Sequence, residues 1–163
     1  MLFSTKAEYG VRLMVELGRR ESERSKPGRA VSLSKIAESE NLPYSYLEHL
    51  VARLRDADLV ISERGAHGGY RLARDPASIT MLEIVQALEG PITPMDCFHT
   101  EPSGRVLCSH EESSEHACAT KLLWTRVQGG ITRTLTGMTL AELVEFSAGQ
   151  NQGKVRAVAG AAA

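Results

Sequence analysis

The 163-residue chain has no stretch of about 18 consecutive apolar residues, the length a membrane-spanning helix needs, and its start lacks the charged-then-apolar order of a secretory leader. A chain with neither is expected to stay in the cytoplasm, with no membrane partner. Aromatics are scarce at 5 %, and neither charge sign dominates, with 19 Lys and Arg against 20 Asp and Glu. No global basic footprint exists, so contact with a polyanion must come from a local patch. Cysteines number only three, Cys97, Cys108 and Cys118. An odd set in a reducing compartment favours metal ligation or redox chemistry over a disulfide framework. There is no Cys-x-x-Cys pair and no thioredoxin-like βαβ pattern, which argues against a thiol oxidoreductase, and no enzyme is expected.

What is present is helical periodicity, interrupted once. From Thr5 to Arg20, Ala7, Val11, Met14 and Gly18 form one stripe with Leu13 and Leu17 beside it, the spacing of an amphipathic helix. The polar run Glu21 to Arg29, with Pro27-Gly28 and the cations Arg24, Lys26 and Arg29, reads as a solvated loop. Ser32 can cap a short second helix carrying Leu33, Ile36 and Ala37, and Pro43 suits the start of a third. In that third helix Leu47, Leu50, Val51 and Leu54 share one side, which leaves Ser45, Glu48, His49, Ala52 and Arg53 on the other. The pattern then changes to Leu59-Val60-Ile61, a glycine-rich turn at 64–69, and Tyr70-Arg71-Leu72, a β-hairpin.

Helix, helix, hairpin is the order of a winged helix-turn-helix, so the expected fold is mainly α with a small β-wing. Helical spacing returns from Thr80 to Leu88 and stops at Gly90-Pro91. Pro91 to Cys118 shows little periodicity. Beyond it Trp124, Val127, Ile131, Leu135 and Met138 predict a long helix whose apolar stripe needs a partner, most economically a second copy of the chain. Gly129-Gly130 marks either a kink in that helix or a close helix approach. Thr139 to Phe146 predicts one last short helix. The expected organisation is therefore a DNA-binding unit over 1–90, a cysteine loop over 91–120, a dimerisation helix and short terminal helix over 121–148, and a disordered tail over 149–163.

A helix entering a major groove needs small, hydrogen-bonding side chains near its start, and Ser45, Tyr46 and His49 meet that need. Glu48 can accept a hydrogen bond from cytosine N4, which would make binding selective, and Arg53 adds positive charge nearby. In the hairpin, Gly65 lets the backbone approach a sugar-phosphate surface and Arg64 can enter a narrow minor groove. His67 and Arg71 can add phosphate contacts. Taken alone, each piece favours a plainer reading, a helical core and a turn that simply needs glycine. Their combination favours double-stranded DNA.

Ser45-Tyr46-Leu47-Glu48-His49-Leu50, then Arg53-Leu54-Arg55, then Arg64-Gly65-x-x-Gly68-Gly69-Tyr70 resembles the IscR, NsrR and CymR family of bacterial regulators. The resemblance runs from Ser4-Thr5-Lys6 through Leu88-Glu89-Gly90-Pro91 and resumes at Trp124 and Thr139-Leu140-x-Glu142-Leu143. It implies a transcription regulator, expected to act as a repressor, that binds a near-palindromic operator as a homodimer.

The IscR and NsrR branches carry three loop cysteines that bind an iron-sulfur cluster, and Cys97, Cys108 and Cys118 occupy the matching region. The resemblance thus implies a 2Fe-2S or 4Fe-4S cluster and sensing of redox, nitric oxide or iron-sulfur status. The IscR-like fourth-ligand position is Lys121 here, which has no lone pair when protonated, whereas Glu8 matches the helix-one carboxylate that NsrR-like relatives contribute across the dimer. His99, His110 and His116, each one residue removed from a cysteine, are further candidates, and the same donors could make a zinc site. Five acids, Asp96, Glu101, Glu111, Glu112 and Glu115, against the single base Arg105 make this loop a poor grip for phosphate. The CymR branch implies another class, a regulator controlled by complexing a protein partner.

Overall fold

The chain runs α1 (Thr5–Ser22), α2 (Leu33–Glu40), α3 (Tyr44–Asp56), β1 (Val60–Glu63), β2 (Gly69–Leu72), α4 (Met81–Glu89), β3 (Phe98–Thr100), β4 (Val106–Cys108), α5 (Ala119–Thr136) and α6 (Leu140–Ser147). This computed structural model describes residues 3–22, 30–65, 68–95, 97–101, 106–108 and 118–149. The polar run with Arg24, Lys26 and Arg29, the hairpin residue His67, the loop residues His110 and His116, and the tail from 150 onward lie outside the described residues. So does the side chain of His99.

The apolar stripes seen in sequence converge on one core. Leu13, Met14 and Leu17 of α1 meet Leu33 and Ile36 of α2, Leu47, Leu50, Val51 and Leu54 of α3, Ile84 and Leu88 of α4, and Leu140 and Val144 of α6. Each such side chain contributes roughly 1.5–3 kcal/mol on leaving water. The carboxylate of Glu16 is buried among them, a position that the apolar stripe alone does not reveal. It pairs with Arg19 at 2.6 Å and with Arg20 at 2.5 Å, and it accepts a hydrogen bond from Ser39 Oγ at 2.9 Å, which ties α1 to α2.

The turn between α2 and α3 is made by Asn41, whose left-handed backbone (φ 51°) suits a short polar residue, and by Leu42 N–H donating back to Ala37 C=O at 2.9 Å. Ser32 occupies the N-cap position of α2, but its side chain makes no capping bond. The wing is antiparallel, with Val60 opposite Leu72 and Glu63 opposite Gly69. Val31 joins its edge through reciprocal 2.8 Å bonds with Tyr70. At Gly69 a Cβ would overlap the Val31 backbone, so this approach requires glycine.

Two capping boxes start the later helices, Thr80 with Glu83 on α4 and Thr139 with Glu142 on α6. They sit side by side, because Met81 N–H donates to Met138 C=O at 2.9 Å and Leu140 N–H to Ile79 C=O at 2.8 Å. Helix α5 is continuous through Gly129-Gly130, and none of its residues is fully buried within the chain. Leu122, Leu123 and Val127 are exposed. Among the described residues no helix is long and apolar enough to cross a membrane.

Candidate nucleic-acid interface and cysteine cluster

Helix α3 buries Leu47, Leu50, Val51 and Leu54 and leaves Ser45, Glu48 and His49 exposed in its first two turns. Three free hydrogen-bonding side chains of different chemistry therefore stand where groove entry needs them. Arg64 and Gly65 are exposed at the tip of the wing, beyond β1.

Among the described residues, three other predicted DNA contacts, Tyr46, Arg53 and Arg71, have partners within the chain. Tyr46 is half-buried and meets the ring of Tyr9 edge-on, with centroids 5.7 Å apart and planes at 87°. Arg53 donates from NH1 to the Leu88 carbonyl at 3.2 Å, in the last turn of α4. Arg71 reaches across the wing to Glu63 at 2.5 Å and also donates to the Leu72 carbonyl at 3.2 Å. A helical wheel shows that Tyr46 and Arg53 lie off the apolar face of α3, but not which neighbouring element they meet.

The stretch expected to lack structure contains a short antiparallel hairpin, β3–β4, with Phe98 opposite Cys108 and Thr100 opposite Val106. Strands of three residues are too short to show alternation, which hid them from the sequence. Cys97 directly precedes β3, Cys108 ends β4 and is buried, and Cys118 is the N-cap residue of α5. The Cys118 sulfur lies 3.3 Å from Thr120 Oγ1. That hydroxyl, the Lys121 and Thr120 amides at the helix start and the Cys108 side chain together lower its pKa from 9.0, although no N-cap bond of full geometry forms.

A cysteine whose pKa is lowered is thus held against a second cysteine, with the third on the adjoining end of the same hairpin. This donor set suits a thiolate-bound cluster. Among the described residues, no three His, Cys, Asp or Glu side chains converge closely enough to hold a single metal ion as they stand. Glu8 is exposed in the first turn of α1. Nearby, Glu89 at the end of α4 accepts from the Ser4 amide at 3.0 Å, accepts from the Ser4 hydroxyl, and pairs with Lys6 at 3.5 Å. Burial opposes ionisation of Glu89, but these partners outweigh it and hold its pKa below the ordinary 4.5.

A family model described as "Rrf2: Iron-dependent Transcriptional regulator" matches residues 3–146. The HTH-type transcriptional regulator CymR of Bacillus subtilis is 36% identical over 152 residues, covering 93% of this chain and 96% of that protein. Its solved structure, titled as the global cysteine regulator of B. subtilis, superposes with a TM-score of 0.69 over 90% of this chain and 98% of that one. The structure of T. potens IscR gives a TM-score of 0.70 at 33% identity, covering 94% of this chain and 93% of that one.

Proposed function

Because the chain belongs to the Rrf2 family of transcriptional regulators, we propose that it is a repressor that reads a near-palindromic operator as a homodimer and takes its signal from an iron-sulfur cluster held by Cys97, Cys108 and Cys118. The observation that carries this reading is the meeting of Cys108 and Cys118 where the β3–β4 hairpin abuts the start of α5. A bound cluster would supply a centre sensitive to oxidants and nitric oxide. Ser45, Glu48 and His49 contact base edges in the major groove, while Arg64 and Gly65 bring the wing to the minor groove. His67 and Arg71 add phosphate contacts. The exposed apolar residues of α5 pack against a second copy of the chain.

In this reading Glu8, contributed across the dimer, is the fourth ligand. Ligated, the three cysteines pin the hairpin to α5, and Glu8 pins α1 of the other subunit to the same place. Unligated, both constraints are released and the spacing of the two reading heads is free to change. A difference of a few kcal/mol between the two geometries suffices to switch operator affinity.

Anaerobic reconstitution followed by visible absorption, iron and sulfide analysis and Mössbauer spectroscopy tests the cofactor and separates two-iron from four-iron clusters. Colourless protein with stoichiometric zinc would replace the cluster by a zinc site. The similarity to CymR across 93% of the chain favours a second reading, control by a protein partner. Cysteine-to-alanine variants that regulate normally would select it.

A further inference from the structure

Viewed down its axis at 100° per residue, α3 has an outward face, an inward face and two unlike flanks. The outward face carries Ser45, His49, Ala52 and Asp56, and the inward face carries the four buried aliphatic residues. Glu48 and Arg55 share one flank and are exposed. Tyr46 and Arg53, seven residues apart, return to within about 20° of each other and define the other flank.

That second flank is fastened at two points. Near the N-terminal end, Tyr46 packs edge-on against Tyr9 of α1, which also has the Arg12 guanidinium over its ring at 5.9 Å. Arg12 in turn pairs with Glu40 at the end of α2, at 3.0 Å. Two turns later, Arg53 holds the Leu88 carbonyl of α4. Leu88 itself is fully buried and packs so closely on Gly10 of α1 that a Cβ there would overlap it. Both fastenings therefore end on the same stretch of α1, one directly and one through α4.

We propose that Tyr46 and Arg53 are positioning residues that fix the roll of α3 about its own axis, and so decide which of Ser45, Glu48 and His49 faces a base edge. A helix held only by its apolar face can rock about its axis, because dispersion contacts are non-directional. One edge contact and one directional hydrogen bond on a single flank remove that freedom. This inference rests on α3 being the recognition helix. It assigns Arg53, an exposed residue, to holding α3 against α4 rather than to a phosphate.

The test uses the full-length protein and an operator selected from a random duplex library, with binding to operator and to random duplex measured across a salt series. For Arg53→Ala and Tyr9→Ala the operator-to-random affinity ratio is expected to fall about fivefold to tenfold, the size of one lost base contact. The salt slope should stay at the wild-type value. Arg53→Lys, which retains a donor of similar reach, should restore most of the ratio. Simple loss of folded protein would lower both affinities together and leave the ratio unchanged.

A salt slope smaller by about one in Arg53→Ala, the signature of a lost phosphate contact, overturns the proposal. An unchanged ratio in both variants does so as well. Ser45→Ala and His49→Ala, run in parallel, separate this from failure of the underlying reading. If neither shifts the base preference of the selected operator, α3 is not the recognition helix.

Discussion

The DNA-facing head and the cysteine hairpin are held by different means. In the head, α1 to α4 and α6 share one buried core, and the wing register is fixed by four residue pairs with Val31 on its edge. In the hairpin, among the described residues, two three-residue strands pair with each other alone, and Cys108 meets Cys118. The head is specified by its own sequence. Among the described residues the hairpin has no such shared core behind it, and under the proposed function its geometry would depend on what its thiols hold.

Substitutions should separate the two regions cleanly. The largest effect is expected for Leu88→Ala, which empties a fully buried position against Gly10 and should cost about 2–5 kcal/mol in denaturant unfolding. Next is Glu16→Ala, which removes the carboxylate joining Arg19, Arg20 and Ser39. Both arginines remain partly exposed and can rehydrate, so a loss of about 1–3 kcal/mol is expected. For cluster-free Cys108→Ala, thermal unfolding of the head should shift by less than the equivalent of about 1 kcal/mol. A larger shift would show that hairpin and head share one cooperative unit and would break the comparison.

The smallest effect concerns pH. Glu89 joins the start of α1 to the end of α4 and is held below its ordinary 4.5 by Ser4 and Lys6. A depressed folded pKa means that its contribution is complete above 4.5 and is lost as pH falls through the folded value. Glu89→Gln should therefore lower stability slightly at neutral pH, with the difference from wild type vanishing as pH falls through the folded value, so that the acid limb of a stability-against-pH curve flattens. An unaltered acid limb would assign acid sensitivity elsewhere, with Glu83, held low by Arg74 and Thr80 against its own burial, as the next group to examine.

The same division explains what could be read from sequence. Leu47, Leu50, Val51 and Leu54 repeat at helical spacing because one face of α3 is buried, so that helix was legible. Asn41 was not singled out, although its left-handed turn sets the angle between α2 and α3. Glu16 was hidden because a carboxylate near an apolar stripe reads as solvated surface, and its burial depends on arginines one turn away and a serine on α2. Tyr46 and Arg53 were read as outward-facing because periodicity gives a direction around a helix but not the identity of the neighbour there. The hairpin gave no signal, since Val106-Leu107-Cys108 is shorter than two periods of strand alternation. Cys118 at the start of α5 was visible as a cysteine, but its contact with Cys108 follows only from the fold.

The backbone bonds between Met81 and Met138 and between Ile79 and Leu140 have a topological consequence. They tie the start of α4 to the start of α6, so the chain from α4 through α5 is an excursion closed at its base. Closing a longer excursion costs only logarithmically more entropy. Residues inserted or removed around the cysteines therefore change the length of a loop whose two feet stay planted. The segment that carries the cysteines can thus vary in length and chemistry without asking the packed core of α1 to α4 and α6 to refold.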